Sequence, residues 1–394
     1  MFRRAHGEMK ILHICPFFLF ILLHIAADVI GATPPKADAG VELVAAVFRH
    51  GDRAPLGTFL RDPNKHHVWP YGYGQLTKQG KQRMYELGRT LRKRYKDILS
   101  EDPREVWARS SPEPRCFDSV GLLLYGMYPA DEDRRWKEGR DWQPVPIVNL
   151  PRHNDKYTFY CPKMIKAMLQ ALSSGAEKQK DNPIQTLAKL TGIQPNESRK
   201  LLDAMDALLV QNENNLTLPD ALKPRLGILT ALNHKFYLML GAALSPIMGG
   251  EILRDIAQKV GRFVSPETAG KAPGVKELAP LEIPKSDIKE KKLYLYSYHD
   301  LNVIAVLYSL NNKSLTQRPP YGSAVLFEVK KPSKGSDHEV HVSYLTNFKE
   351  ATPVDITGCP SPCTVKQFTD FVNSNFKAVT AADCGVPESY FVVF

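Results

Sequence analysis

The sequence predicts an α/β fold: a mostly parallel sheet flanked by helices, with a mainly helical cap domain inserted into it. Three observations predict this. Val41–Phe48 is short, nearly all apolar and rich in valine, as a strand buried on both faces of a parallel sheet is. From Pro162 to about Phe263 the apolar residues recur three to four apart, the period of helices. Lys292–Tyr298 then reads as a strand again and stops at His299-Asp300. Strand and helix, a helical block, then strand and helix is the order of a β/α core with an insertion. The expected division is a core of residues 38–135 and 286–384 with a cap of residues 136–285 between them.

Residues 1–32 read as an export signal. Arg3, Arg4 and Lys10 precede an apolar run, Ile11–Ala27, and the small residues Ala26, Ala27, Gly31 and Ala32 follow. Cleavage is expected after Ala27 or Ala32. Pro16, His13 and His24 make the run a poor membrane span, and no other stretch is expected to cross a bilayer. A secreted protein with no stable membrane anchor is the expectation. Asn196, Asn215 and Asn312 each open an Asn-x-Ser/Thr triplet, the glycosylation pattern of exported chains.

The core elements follow in order. Thr77–Ser100 reads as a helix with Thr77 as its N-cap. Met84, Leu87, Leu91, Tyr95 and Ile98 form its apolar stripe. Its basic residues Arg89, Arg92, Lys93, Arg94 and Lys96 cluster near the C-terminus, where cations are favoured. Val106–Ala108 reads as a second strand ending at Arg109-Ser110-Ser111. Trp136–Pro146 is irregular. Within the helical block, Ile184–Leu190, Ser198–Val210, Arg225–Leu244 and Glu251–Val260 read as separate helices, and the Pro/Gly/Lys-rich Ser265–Lys285 as a linker. Ala324–Val329 and Glu339–Leu345 read as strands, and Val365–Phe376 as a last helix. The polar ends after Phe48 and Tyr298 are expected to meet at the carboxyl edge of one sheet, where open α/β sheets bind ligands.

The chain has 394 residues, 43% of them hydrophobic and 24% charged, which places it among folded globular proteins. Its net charge of +10 suits an anionic substrate. No basic run interleaved with aromatics and no groove-entering helix pattern is present, so no nucleic-acid partner is expected.

The chemistry sits in Arg49-His50-Gly51-Asp52-Arg53-Ala54-Pro55. Two arginines around a histidine suit a phosphate. Guanidinium groups match phosphate oxygens in paired planar hydrogen bonds. A neutral imidazole nitrogen held between them can attack phosphorus. Gly51 permits close backbone approach. There is no His-Glu-x-x-His, aspartate ladder or P-loop, so no cofactor and no metal is expected.

Arg-His-Gly-x-Arg-x-Pro resembles the signature of the histidine acid phosphatases, a branch of the histidine phosphatase superfamily. Gly74-Gln-Leu-Thr-Lys-Gln-Gly80 resembles the stretch that leads into that family's first helix. Tyr294-Leu-Tyr-Ser-Tyr-His299-Asp300 resembles its second catalytic motif, Trp142-Gln-Pro-Val-Pro146 a stretch of the prostatic and lysosomal members, and Cys359-Pro-Ser-Pro-Cys363 their C-terminal disulfide loop. The resemblance runs from about Val41 to Cys384 and implies a phosphoglycerate mutase-like core. It implies His50 as a nucleophile forming a phosphohistidine, and Arg49, Arg53, Arg115 and His299 as phosphate-binding residues. It implies Asp300 as the proton donor to the leaving oxygen. With an unperturbed carboxyl near pH 4 and histidine charge growing below about pH 6.5, activity is expected between roughly pH 4 and 6.

Two departures stand out. Pro112-Glu113-Pro114 stiffens the lead-in to Arg115. Arg115 is favoured as the third phosphate ligand, with Arg109 as its alternative. A third disulfide of the prostatic and lysosomal members is missing at both of its positions, Val210 and Ala324. The resemblance implies the bridges Cys161–Cys384 and Cys359–Cys363, leaving Cys116 free as a small buried residue. It also implies a homodimer paired near Trp142. His66, His67, His234, His338 and His341 are read as structural, and His153 and Asp155 as candidates to border the site.

The leading expectation is a secreted, metal-independent acid phosphatase acting on small phosphomonoesters. A phytase or inositol polyphosphate phosphatase is the first alternative. A catalytically silent binder of anions or lipids is the second.

Overall fold

A computed structural model describes residues 39–152, 154–158, 162, 183–194, 197–265, 289–311, 315–332, 335, 337–348 and 350–387. The expected signal at 1–32, the linker from 266, Cys161, His153, Asn196 and Asn312 lie outside these residues.

Among the described residues the strands form one eight-stranded sheet. They are β1 (Val41–Arg49), β2 (Val106–Ser110), β3 (Ile147–Asn149), β4 (Leu293–Tyr298), β5 (Ala324–Lys330), β6 (Glu339–Leu345), β7 (Ala351–Pro353) and β8 (Cys363–Thr364). The order is β3-β2-β4-β1-β5-β6-β7, with β8 also on β6. The helix-flanked sheet matches the expectation, but it is mixed rather than mostly parallel. Strands β3, β2, β4 and β1 run parallel, whereas β5 to β8 pair antiparallel. Short connections dictate the second half: β5 and β6 are too close in sequence for the crossover that a parallel pair requires. Composition does not encode that direction.

Alternation along β1 divides the core. Leu43, Ala45 and Val47 face one layer; Val44, Ala46 and Phe48 face the other. On the second face lie α1 (Lys78–Arg94) and α2 (Pro114–Met127), through Met84, Leu87, Leu91, Val120, Leu123 and Met127. On the first lie α6 (Gly250–Val264), α7 (Asp300–Ser309) and α8 (Val365–Asn375). Thr77 caps α1 as expected, accepting from Gly80 N at 3.1 Å. The helix ends at Arg94, short of the expected Ser100, and Tyr95 is its C-cap.

The expected cap boundaries include two segments that pack with the core. Strand β3 pairs with β2, and Ile252, Leu253, Ile256 and Val260 of α6 pack with the sheet. A separate cluster joins α3 (Pro183–Thr191), α4 (Ser198–Glu213) and the start of α5 (Leu226–Leu244) through Leu187, Leu201, Met205, Leu208 and Leu229. The far half of α5 returns to the core, where Leu240 and Leu244 meet Ile304. Helices α5 and α6 join through a wide turn at Ser245–Gly249 into one helical run, Lys223–Val264. Contrary to expectation, this run is long and apolar enough to cross a membrane, but half of its most apolar window is buried within the fold. Its buried apolar residues pack within the fold, while Ile228 and Met239 are exposed.

The Cys359–Cys363 bridge is present, with the Cα atoms 5.4 Å apart. Cys384, which opposes Ile247 as part of a small apolar cluster after α9 (Ala381–Cys384), is also disulfide-bonded. Cys116 is free and buried.

Candidate active site

Three parallel strands end at one edge, and that register assembles the site. Arg49 lies opposite Tyr298, and Ser110 opposite Ser297. The chain leaving β1 is tied to β4 by His50 N, which donates to Tyr298 O at 3.0 Å. Ser111 N donates to Ser297 O at 3.0 Å. The loops after β1, β2 and β4 thus converge, as the two polar strand ends predicted.

Gly51 and Gly80 let the loop after β1 sit directly on the start of α1. A Cβ on Gly51 would lie 2.5 Å from Gly80 O, and one on Gly80 would lie 2.0 Å from Asp52 O. The close approach that Gly51 permits is therefore to α1. Asp52 pairs with Arg83 of the same helix at 2.5 Å. A methyl at Gly80 must push the catalytic loop outward. Gly80→Ala is expected to destabilise the fold by about 1–3 kcal/mol. Urea denaturation alongside kinetics should show kcat falling with it, whereas a distant destabilising variant would leave kcat of the folded fraction unchanged.

His50 is buried, and its Nδ1 lies 2.8 Å from Gly51 O. A carbonyl only accepts, so Nδ1 carries the hydrogen and the neutral ring keeps its lone pair on Nε2. Burial, then the charges of Arg115, Arg49, His299 and Arg53, hold the imidazole well below its ordinary pKa. Burial and these charges favour the neutral ring over the imidazolium.

The three expected arginines surround it. Arg49, Arg53 and Arg115 each have a buried Nε without a partner, as Arg109 also has, so the three guanidiniums near His50 keep donor capacity for an anion. Arg49 stacks on Tyr321, with Cζ 3.7 Å from the ring centroid, and donates to Pro319 O at 2.6 Å. Arg53 is clamped by Asp206 of α4 in a bidentate pair at 2.9 and 2.8 Å. Arg115 pairs with Glu113 at 3.1 Å. The prolines around Glu113 do not divert it. Pro114 occupies the first turn of α2, where its missing N–H costs nothing, so the Pro-Glu-Pro segment is the entry to a helix. Arg109 instead lies against Asp155 at 2.9 Å and over Tyr157. The fully buried Asp155 carboxylate also accepts from Tyr298 Oη at 3.0 Å, so Asp155 does not border the site.

His299 faces His50 with ring centroids 5.5 Å apart. Its Nε2 lies 3.0 Å from Ser111 Oγ, and Cys116 Sγ lies 3.8 Å from Nδ1. Burial and Arg115 hold His299 down at about 3. The expected gain of histidine charge below pH 6.5 is thereby corrected: His299 offers a hydrogen bond and stays uncharged. The Cys116 thiol is pushed up by burial to about 12, so it is no thiolate.

Asp300 departs from the expected pKa near 4. Burial would raise it, but Arg318 and then Arg49 outweigh burial and hold the carboxyl below the ordinary range. Its Oδ1 accepts from Leu301 N at 2.8 Å. Its Oδ2 accepts from Arg318 Nε at 2.6 Å and lies 3.1 Å from Arg49 Nη2.

Sequence reasoning missed Asp206, Arg318, Tyr321 and Ser111. Asp206 sits among apolar residues of a helix, where a single buried acid has no periodic signal. Arg318 and Tyr321 flank Pro319-Pro320 just before β5, a stiff segment whose position beside a strand is the only sequence cue.

A sequence profile described as "Histidine phosphatase superfamily (branch 2)" matches residues 40–345. The chain is 28% identical to the human prostatic acid phosphatase over 370 residues, 89% of each chain. It is 30% identical to the human testicular acid phosphatase over 378 residues, 90% of this chain and 82% of the relative. Among solved structures, a phytase from Hafnia alvei superposes with a TM-score of 0.60 at 16% identity, covering 89% of this chain and 100% of the phytase. A phytase from Citrobacter braakii gives 0.59 at 16% identity over 88% and 99%. At that identity the likeness is one of fold.

Proposed function

Since the chain belongs to branch 2 of the histidine phosphatase superfamily and is a phosphatase, we propose that it hydrolyses small phosphate monoesters in acid, without metal, through a phosphohistidine on His50. The observation that carries this reading is the neutral His50 ring, its Nδ1 tied to Gly51 O and its Nε2 free, among three arginines with unpartnered buried Nε groups.

The chemistry follows from that arrangement. Phosphoryl transfer needs chiefly positioning and charge stabilisation. Arg49, Arg53 and Arg115 supply positive charge to the equatorial oxygens, and His299 adds a hydrogen bond. Nε2 of His50 attacks phosphorus as the ester oxygen leaves. A monoester gains its second proton near pH 6, so the substrate carries a proton into the cleft in acid. The arriving anion draws Arg49 from Asp300 and sets negative charge beside it. Both changes raise the affinity of Asp300 for that proton. Asp300 passes it to the leaving oxygen, then takes one from the water that attacks the phosphohistidine.

The pH dependence has a definite sign. Activity should fall above about pH 6 as the monoester loses its proton, and fall toward pH 3 as His299 gains one. The test is p-nitrophenyl phosphate hydrolysis from pH 3 to 9 in EDTA. A rapid quench with labelled substrate should put an acid-labile, alkali-stable label on the protein, and His50→Ala should carry none. An optimum above pH 7.5, or loss of activity in EDTA, would sink the reading.

Secretion is part of the proposal, supported by the charged and apolar pattern of residues 1–32. Asn215, exposed with φ 58° just past the end of α4, is the described sequon open to a glycan. Pairing of two copies would use the edge at β3, where Trp142 and Val148 are exposed.

A further inference from the structure

Arg318 has no role in the reaction as drawn so far. It arrives from the Pro-rich segment before β5, and its side chain is 11% exposed. It is held from three sides. Its Cζ lies 3.7 Å from the Tyr237 ring centroid, its Nη1 donates to Asn233 Oδ1 at 3.1 Å, and Asp206 lies 3.9 Å away. Its backbone N–H meets His234 Nδ1 at 3.3 Å. These contacts hold the guanidinium against Asp300.

What it braces is the proton donor. Two N–H groups of Arg318 converge on Asp300 Oδ2, each at 2.6 Å, and Leu301 N–H covers Oδ1 at 2.8 Å. A proton on Oδ2 would point into donors that have no lone pair to receive it. A proton on Oδ2 therefore disrupts the Arg318 pair, and a proton on Oδ1, whose second lone pair is open, leaves the acid beside a fixed guanidinium that favours the carboxylate. The other groups facing Asp300 are Arg49 from β1, His299 beside it, Arg115 and Cys116 from α2, and Tyr237 from α5. Arg49 is claimed by the phosphate and His299 is uncharged, so Arg318 is the cation that stays on Asp300.

We propose, on the reading of Asp300 as the proton donor, that Arg318 is a specificity-determining positioning residue: by occupying Asp300 Oδ2 with N–H donors, it fits the site to phosphate esters of acidic leaving groups, aryl esters above alkyl esters. A phenolate departs with little help from an acid, whereas an alkoxide needs the proton fully in place. The preference arises at the leaving oxygen and leaves the phosphate cage unchanged.

The test compares kcat/KM at pH 5 for p-nitrophenyl phosphate, phenyl phosphate and glycerol 2-phosphate. General acid assistance is worth about a hundred-fold or more, so the wild type should favour the aryl esters by about that factor. Arg318→Gln should narrow the gap at least about ten-fold and carry glycerol phosphate hydrolysis to higher pH. Arg318→Lys, which keeps the charge, should restore most of the preference. Equal loss on all three substrates with an unchanged pH profile would make Arg318 merely structural and overturn the inference. So would a wild-type enzyme that treats aryl and alkyl esters alike, a comparison that stands even if the glutamine variant does not fold. Asp300→Asn with unchanged glycerol 2-phosphate hydrolysis would instead overturn the reading of Asp300 as the proton donor on which the inference rests, and separates the two failures.

Discussion

Replacing His50 with alanine should lower kcat by about ten-thousand-fold or more while leaving phosphate binding largely intact. The size follows from the division of labour in the cleft. In the proposed reaction His50 forms the covalent bond, and no neighbouring side chain is placed to replace it. His299 faces the same space but is turned to Ser111 through Nε2, and Cys116 is a buried thiol pushed up to about 12. Neither is an available nucleophile. The arginines are held by contacts that do not involve His50: Arg49 by Tyr321 and Pro319, Arg53 by Asp206, Arg115 by Glu113. The anion cage should therefore survive the substitution. Steady-state kinetics with p-nitrophenyl phosphate and calorimetric titration with inorganic phosphate separate the two effects. A variant that keeps even a tenth of the wild-type kcat would show that His50 is not the nucleophile.

Asp206→Ala is expected to destabilise the fold by about 3–5 kcal/mol and to raise KM. Arg53 and Asp206 are 3% and 4% exposed at the side chain, so neither charge has water to fall back on. Burial alone would depress Arg53; the Asp206 carboxylate reverses this and holds the guanidinium firmly charged. Removing the acid leaves a buried cation beside two others, Arg49 and Arg318. Arg53 must then shift away from its place near His50 or draw water in. Asp206→Asn keeps the shape and one acceptor but loses the charge, and should fall between alanine and the wild type. Urea denaturation gives the stability, and KM for p-nitrophenyl phosphate reads the position of Arg53. A stability change under 1 kcal/mol with unchanged KM would mean the pair only fills space. Because Asp206 lies on α4, this ion pair also ties α4 to the loop that carries His50.

Much of the site was legible because its residues are contiguous. Arg49, His50 and Arg53 share one loop, and His299 and Asp300 end one strand. The strand signal itself pointed to the edge where both loops meet. Arg115 was legible through its distance from the end of β2, since the helix begun by Pro114 keeps that spacing. The contacts that tune these groups were not legible. Asp206 and Arg53 are separated by 153 positions, and nothing in the periodicity of α4 marks one acid as the partner of one arginine. Arg318 is 18 residues from Asp300, on the far side of a helix and a turn. The antiparallel pairing of β5 with β1 was likewise hidden, because an apolar strand reads the same in either sense.

The sequence alone determined the α/β class and the gathering of Arg49, His50 and Arg53 in one stretch suited to an anion. These depend on local residue type and spacing, which one stretch of chain carries whole. Only the tertiary structure decided how these groups are tuned: His50 and His299 held below the ordinary imidazole range, and Asp300 below the ordinary carboxyl range. A pKa is set by burial and by charges brought in from elsewhere in the chain, and Arg115, Arg318 and Asp206 reach the cleft on three separate elements.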